Sequence, residues 1–95
     1  MNEASLYAII PARVRYDRQL NPVAILLYGE ITASLDTYGK CEESDEYFAK
    51  LLNVDIGQVY QSIGLLEHRK HINVLYFAPT EDNTRRRVIT IREAR

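Results

Sequence analysis

Apolar residues recur at helical spacing in three stretches of this chain and crowd into strand-like runs near its end. Val23, Leu27, Ile31 and Leu35 fall every four residues, and Ala24 and Tyr28 widen that stripe. Asn21 and Pro22 stand just before it, a capping side chain followed by a residue suited to the first helical position. The spacing therefore predicts a helix from there to about Leu35. Asp36, Thr37, Tyr38 and Gly39 end it, Gly39 being free to take a positive φ, and a short strand is expected around Cys41. Ser44 opens a second helix as its N-cap, with Asp45 and Glu46 at the end where the helix dipole favours negative charge. Tyr47, Phe48, Leu51 and Leu52 form its apolar face. Asn53 breaks the pattern and Asp55 caps a third helix, in which Ile56, Val59, Ile63 and Leu66 share one side. That helix ends near Arg69 and Lys70, where positive charge suits a C-terminus.

Residues 72–78 are rich in β-branched and aromatic types, residues 79–84 are a turn cluster, and residues 86–91 return as a second strand. Val88 beside Ile89 spoils a clean alternation in that strand. Before the first long helix, residues 6–10 read as an edge strand or a packed arm, and residues 11–18 as one helical turn after Pro11. Three helices followed by a hairpin, with the second and third joined by a few residues, is the order of an α+β winged helix-turn-helix. The expected organisation is one domain over residues 1–95: an N-terminal arm (1–20), a helical core (21–70) and a wing hairpin (71–95).

Composition narrows the function. The chain has no run of about 18 apolar residues, so no membrane span is expected. Its start lacks the basic region and apolar stretch of a secretory signal. A lone Cys41 cannot form an internal disulfide, which fits a reducing cytosol. The net charge of −1 is unevenly spread: Glu42, Glu43, Asp45, Glu46 and Asp55 oppose only Lys50, whereas Arg85, Arg86, Arg87, Arg92 and Arg95 make the end basic. Such a balance allows local anion binding and argues against strong nonspecific affinity for DNA.

Tyr7, the run Ile10-Pro11-Ala12, Val14-Arg15-Tyr16-Asp17, Leu20, Pro22, Ala24, Leu26 through Ile31, and Ala33 carry a resemblance to a known family. It continues through Cys41, Tyr47-Phe48-Ala49, Leu52, Val54, Val59, Ile63 and Leu66-Glu67. The chain resembles the N-terminal DNA-binding domains of phage and plasmid replication initiators and replisome organisers of Gram-positive bacteria. The resemblance implies a winged helix whose third helix reads the major groove and whose hairpin touches the DNA backbone, in the cytoplasm of a bacterial host. At the third helix the chain departs from the family. Where the family offers a Ser cap followed by Lys, Thr and Ser, and then an Arg and often a Trp, this chain has Asp55, Ile56, Gly57, Gln58, Tyr60, Gln61 and Ser62.

Gln58, Tyr60, Gln61 and Ser62 are the exposed candidates on the third helix, since glutamine pairs with adenine and the hydroxyls reach phosphate. The simpler reading is that they solvate one face. Arg85, Arg86 and Arg87 follow the hairpin turn, where a wing meets phosphates; Arg85 and Arg87 share one side of the strand and Arg86 the other. The alternative role of such charges is to block strand-to-strand aggregation. Arg13, Arg15 and Arg18 are expected to bridge nearby acids such as Asp17 or Glu30, and the acids at 42–46 to charge a helix N-terminus. His68 and His71 lack further ligands at metal-binding spacing, so no metal or other cofactor is expected. No phosphate-binding glycine loop or nucleophile motif is present, so no enzyme is expected.

The leading expectation is a phage- or plasmid-encoded, non-enzymatic DNA-binding protein of the replication-initiator or regulator type. Its partner is then double-stranded DNA, contacted as a homodimer on a symmetric or repeated site. The competing expectation is a protein-binding winged helix from a mobile element. Such a protein inhibits a host or defence protein, in the manner of an anti-CRISPR protein or a replication inhibitor, without reading DNA sequence. Gly57 and Gly64 each lower helix propensity by about 1 kcal/mol relative to Ala, and Ile56 with Tyr60 occupies the reading position.

Overall fold

The computed structural model describes residues 7–79 and 86–93. Among them lie α1 (Ala12–Arg15), α2 (Pro22–Ala33), β1 (Lys40–Cys41), α3 (Asp45–Leu52), α4 (Ile56–His68), β2 (Ile72–Phe77) and β3 (Arg86–Ile91). The three longer helices start where the capping residues stand. The Asn21 side chain accepts from the Ala24 N–H at 2.8 Å, and Ser44 Oγ accepts from the Tyr47 N–H at 3.1 Å. Asp55 and Gln58 exchange side-chain bonds with each other's backbone N–H, a reciprocal capping box at the start of α4. Each such cap stabilises its helix by about 1 kcal/mol.

The helix ends are equally local. Asn53 takes the left-handed conformation (φ 55°) after α3, and the Val54 N–H bonds back to the Ala49 carbonyl. After α4, Lys70 is left-handed (φ 65°), with its N–H on Glu67 O and the His71 N–H on Leu66 O. This is a Schellman closure with lysine in the place glycine usually takes. Gly39 has φ 75°, in the turn that leads into β1.

The sheet is antiparallel in the order β1-β3-β2, so β3 is its central strand. Cys41, Ile72, Val74, Ile89 and Ile91 lie on its core side, against Leu27, Tyr28 and Ile31 of α2, Phe48 of α3, and Val59, Ile63 and Leu66 of α4. The unclean alternation in β3 follows from its central place. Ile89 points into the core while Val88 is buried on the other face.

Within residues 7–20, Ile10 packs against the core and Val14 of α1 and Leu20 are buried in it. Of the two readings of the chain's start, the described residues fit the packed arm: residues 7–10 form no strand, and the Ile9 N–H donates to Thr32 Oγ1 at 2.9 Å. Gly29 permits that approach, since a Cβ there would lie 3.1 Å from Ile10 Cδ1. Helix α2 stops at Ala33, short of Leu35, although Leu35 still packs against the core. Among the described residues no helix is long and apolar enough to cross a membrane.

Candidate interaction surface

Helix α4 buries Val59, Ser62, Ile63 and Leu66. Ser62 was expected on the exposed face, and this is corrected: it is only 3 % exposed. Position 62 lies three residues after Val59 and four before Leu66, so the spacing that marks the core includes it. The outward face carries Ile56, Gly57, Gln58, Tyr60, Gln61 and Gly64, with Tyr60 67 % exposed. From Ile56 to His68 this helix holds no lysine or arginine. Gln58 is partly engaged by its cap, which leaves Tyr60 and Gln61 as the exposed polar candidates beside Ile56. A Cβ added at Gly64 would meet nothing within 4 Å, so packing inside the chain does not require a glycine there.

The hairpin arginines behave differently from a free basic wing. Arg86 forms a two-point ion pair with the Glu42 carboxylate, one arm at 3.1 Å, and its guanidinium lies 5.1 Å from the centre of the Phe77 ring. Its hydrogen bonds, ahead of its charge, hold the Glu42 carboxyl below the usual carboxylate range. Arg87 turns to the opposite side of β3, pairs with Asp45 and donates to the Glu43 carbonyl at 2.7 Å. Arg85 lies outside the described residues. The acids at 42–46 therefore do more than charge the start of α3: two of them hold β3. Sequence reasoning missed this because the partners are more than 40 residues apart. The signal was the pair of opposite charge blocks, which the β1–β3 pairing of Cys41 with Ile89 brings together.

A second polar cluster ties α1, α4 and the far end of the sheet. Asp17 accepts from Arg69 Nε at 3.0 Å, Arg69 Nη2 at 3.2 Å, His71 Nε2 at 2.7 Å and the Gln19 N–H at 2.9 Å. Arg13 lies 2.8 Å from His71 Nδ1 and also donates to Tyr28 Oη and the Arg92 carbonyl. A guanidinium only donates, so Nδ1 is the acceptor and Nε2–H is the donor to Asp17. Arg69 first, and His71 second, hold the Asp17 carboxyl well below its ordinary value. Asp17 was expected to serve Arg13, Arg15 or Arg18 and serves Arg69 instead. Arg15 lies over the Tyr16 ring at 4.9 Å.

Among the described residues no group of His, Cys, Asp and Glu is arranged to hold a metal ion. The Cys41 thiol is buried, and that burial pushes its pKa up, the opposite of an activated nucleophile.

Comparison with family models, with curated proteins and with solved structures finds no match to this chain.

The surface is thus defined by its chemistry alone. From Ile56 to Gly64 the outward face of α4 is mixed polar and apolar and carries no charge, with the exposed Glu67 following it, and the two described hairpin arginines are held by carboxylates.

Proposed function

We propose that the chain is a winged helix-turn-helix that binds another protein through the outward face of α4, with the β2–β3 hairpin as its wing. The carrying observation is that Ile56, Gly57, Tyr60, Gln61 and Gly64 form this face without a cation, while Arg86 and Arg87 are held by Glu42 and Asp45. A DNA reader gains most of its affinity by neutralising phosphates with free lysine and arginine. Exposed aromatic and aliphatic side chains depleted of charge match the centre of a protein interface. Gly64 adds to this: α4 gives up about 1 kcal/mol of helix propensity there, although a Cβ would meet nothing within 4 Å in the chain itself. The role is binding rather than catalysis. The resemblance to replication proteins of phages and plasmids points to a host replication or defence protein as the partner class.

A DNA-reading role is the second reading, favoured by the exposure of Tyr60 and Gln61 on α4. A photo-crosslinking residue at position 60, used in a bacterial lysate, separates the two. One at Tyr38, in the exposed turn before β1, serves as control. The protein reading expects a discrete protein adduct from position 60 that is absent from position 38 and insensitive to nuclease. A nuclease-sensitive adduct, or no adduct specific to position 60, overturns it.

A further inference from the structure

Strand β2 has β3 on one side and, among the described residues, no strand on the other. The direction of its backbone groups follows from the register. The Arg92 N–H donates to the His71 carbonyl at 3.0 Å. In an antiparallel ladder this orientation repeats every second residue, at Asn73–Thr90, Leu75–Val88 and Phe77–Arg86. Ile72, Val74 and Tyr76 therefore turn their N–H and C=O groups away from β3, and no other described element takes them. Natural edge strands are blunted by lysine, proline, bulges or a covering element. Within Ile72–Phe77 there is no charged residue, no proline and no break in register. The outer half is open, with Leu75 59 % and Tyr76 63 % exposed.

We propose that this edge pairs with β2 of a second copy of the chain, antiparallel about a two-fold axis at Leu75, joining two three-stranded sheets into one of six strands. The outward groups belong to Val74 and Tyr76, which flank Leu75. Under the two-fold, Val74 of each copy exchanges both backbone hydrogen bonds with Tyr76 of the other. Leu75 meets its own counterpart at the position where side chains come closest, and Tyr76 packs on Val74 across the axis, an aromatic and β-branched pair. Such an isologous contact needs a self-complementary surface, and β2 is one because it brings no charge to the axis. The nearest described cations, Arg86 and Arg87, are already held by Glu42 and Asp45 within their own chain, so pairing does not bring free positive charges together. One strand pair is a small interface, so the dimer is weak and concentration-dependent. This contact is independent of the α4 reading, since it uses neither Ile56 nor Tyr60.

Sedimentation equilibrium of the full chain over a wide concentration range tests it, with Leu75→Lys and Tyr76→Glu alongside. Wild type is expected to pass from one to two chains as concentration rises, and both variants to stay monomeric with unchanged far-ultraviolet circular dichroism. Amide exchange of the wild type reads the same contact without a substitution: the Val74 and Tyr76 amides slow with concentration. A wild type that stays monomeric throughout, a Leu75→Lys dimer, or Val74 and Tyr76 amides indifferent to concentration overturns the proposal. Cross-linking from position 60 in the Leu75→Lys variant keeps the α4 reading separately testable.

Discussion

Replacing Asp17 by Ala removes the acceptor at the centre of the α1–α4 tie. The carboxylate takes N–H groups from Arg69 Nε and Nη2, from His71 Nε2 and from the Gln19 backbone. These donors do not lose equally. The Arg69 side chain is 41 % exposed and returns to water, so its ion pair contributes at most about 1 kcal/mol. The His71 side chain is 8 % exposed and does not return to water. A buried N–H left without an acceptor costs about 1–3 kcal/mol. The Gln19 N–H is exposed and adds little. The sum is a loss of about 3 kcal/mol, a large share of the roughly 5–15 kcal/mol that stabilises a small domain. Urea denaturation followed by circular dichroism at neutral pH measures it, with the midpoint moving at unchanged slope. Asp17→Asn fares little better, because its amide N–H groups face donors. The sign with pH follows from the depressed carboxyl. Unfolded Asp17 titrates near its ordinary 3.8 and folded Asp17 lower. The stabilisation is therefore fully present above 3.8 and disappears as pH falls through the lower folded value. The gap between wild type and Asp17→Ala closes only in that acid range. A loss under about 1 kcal/mol at neutral pH refutes the reasoning that His71 depends on Asp17.

Four other substitutions probe the same fold. Lys70→Gly relieves a left-handed lysine and raises stability by about 1 kcal/mol, read from the same urea curves. Gly64→Ala adds a Cβ that meets nothing and raises stability by about 1 kcal/mol, while the added methyl on the proposed binding face lowers cross-linking from position 60. Asp45→Ala strips a largely buried Arg87 of its charged partner and costs about 1–2 kcal/mol. The more exposed Glu42–Arg86 pair is worth less, so Glu42→Ala shifts the midpoint less than Asp45→Ala in the same assay.

Features spanning a few residues were legible in the sequence. The caps at Asn21, Ser44 and Asp55, the positive φ at Gly39, the short strand at Cys41 and the two hairpin strands all stand where the pattern put them. The caps and the Gly39 turn depend on a residue and the backbone next to it, and the strands show as local runs of strand-forming residues. Features set by the tertiary arrangement were not legible. Val14 and Leu20 join the core because α1 folds back on α2, which no local pattern near Pro11 announces. Val88 and Ile89 are both buried because β3 acquires a neighbour on each side. The partners of Asp17, Arg86 and Arg87 come from elements 40 to 55 residues away, fixed only once β1 pairs with β3 and α4 has turned into β2. Ser62 is the exception, since its place in the buried stripe of α4 was readable from spacing and was obscured by its polarity.

The central claim is that the α4 face, with both described hairpin arginines held within the chain, serves a protein partner rather than DNA. Fluorescence anisotropy with a labelled mixed-sequence duplex, at low and at moderate salt, tests it most directly, with an Arg86→Ala/Arg87→Ala variant beside the wild type. The account predicts no saturable binding by either protein even at low salt. Binding that weakens steeply with salt, and weakens again in the variant, contradicts it.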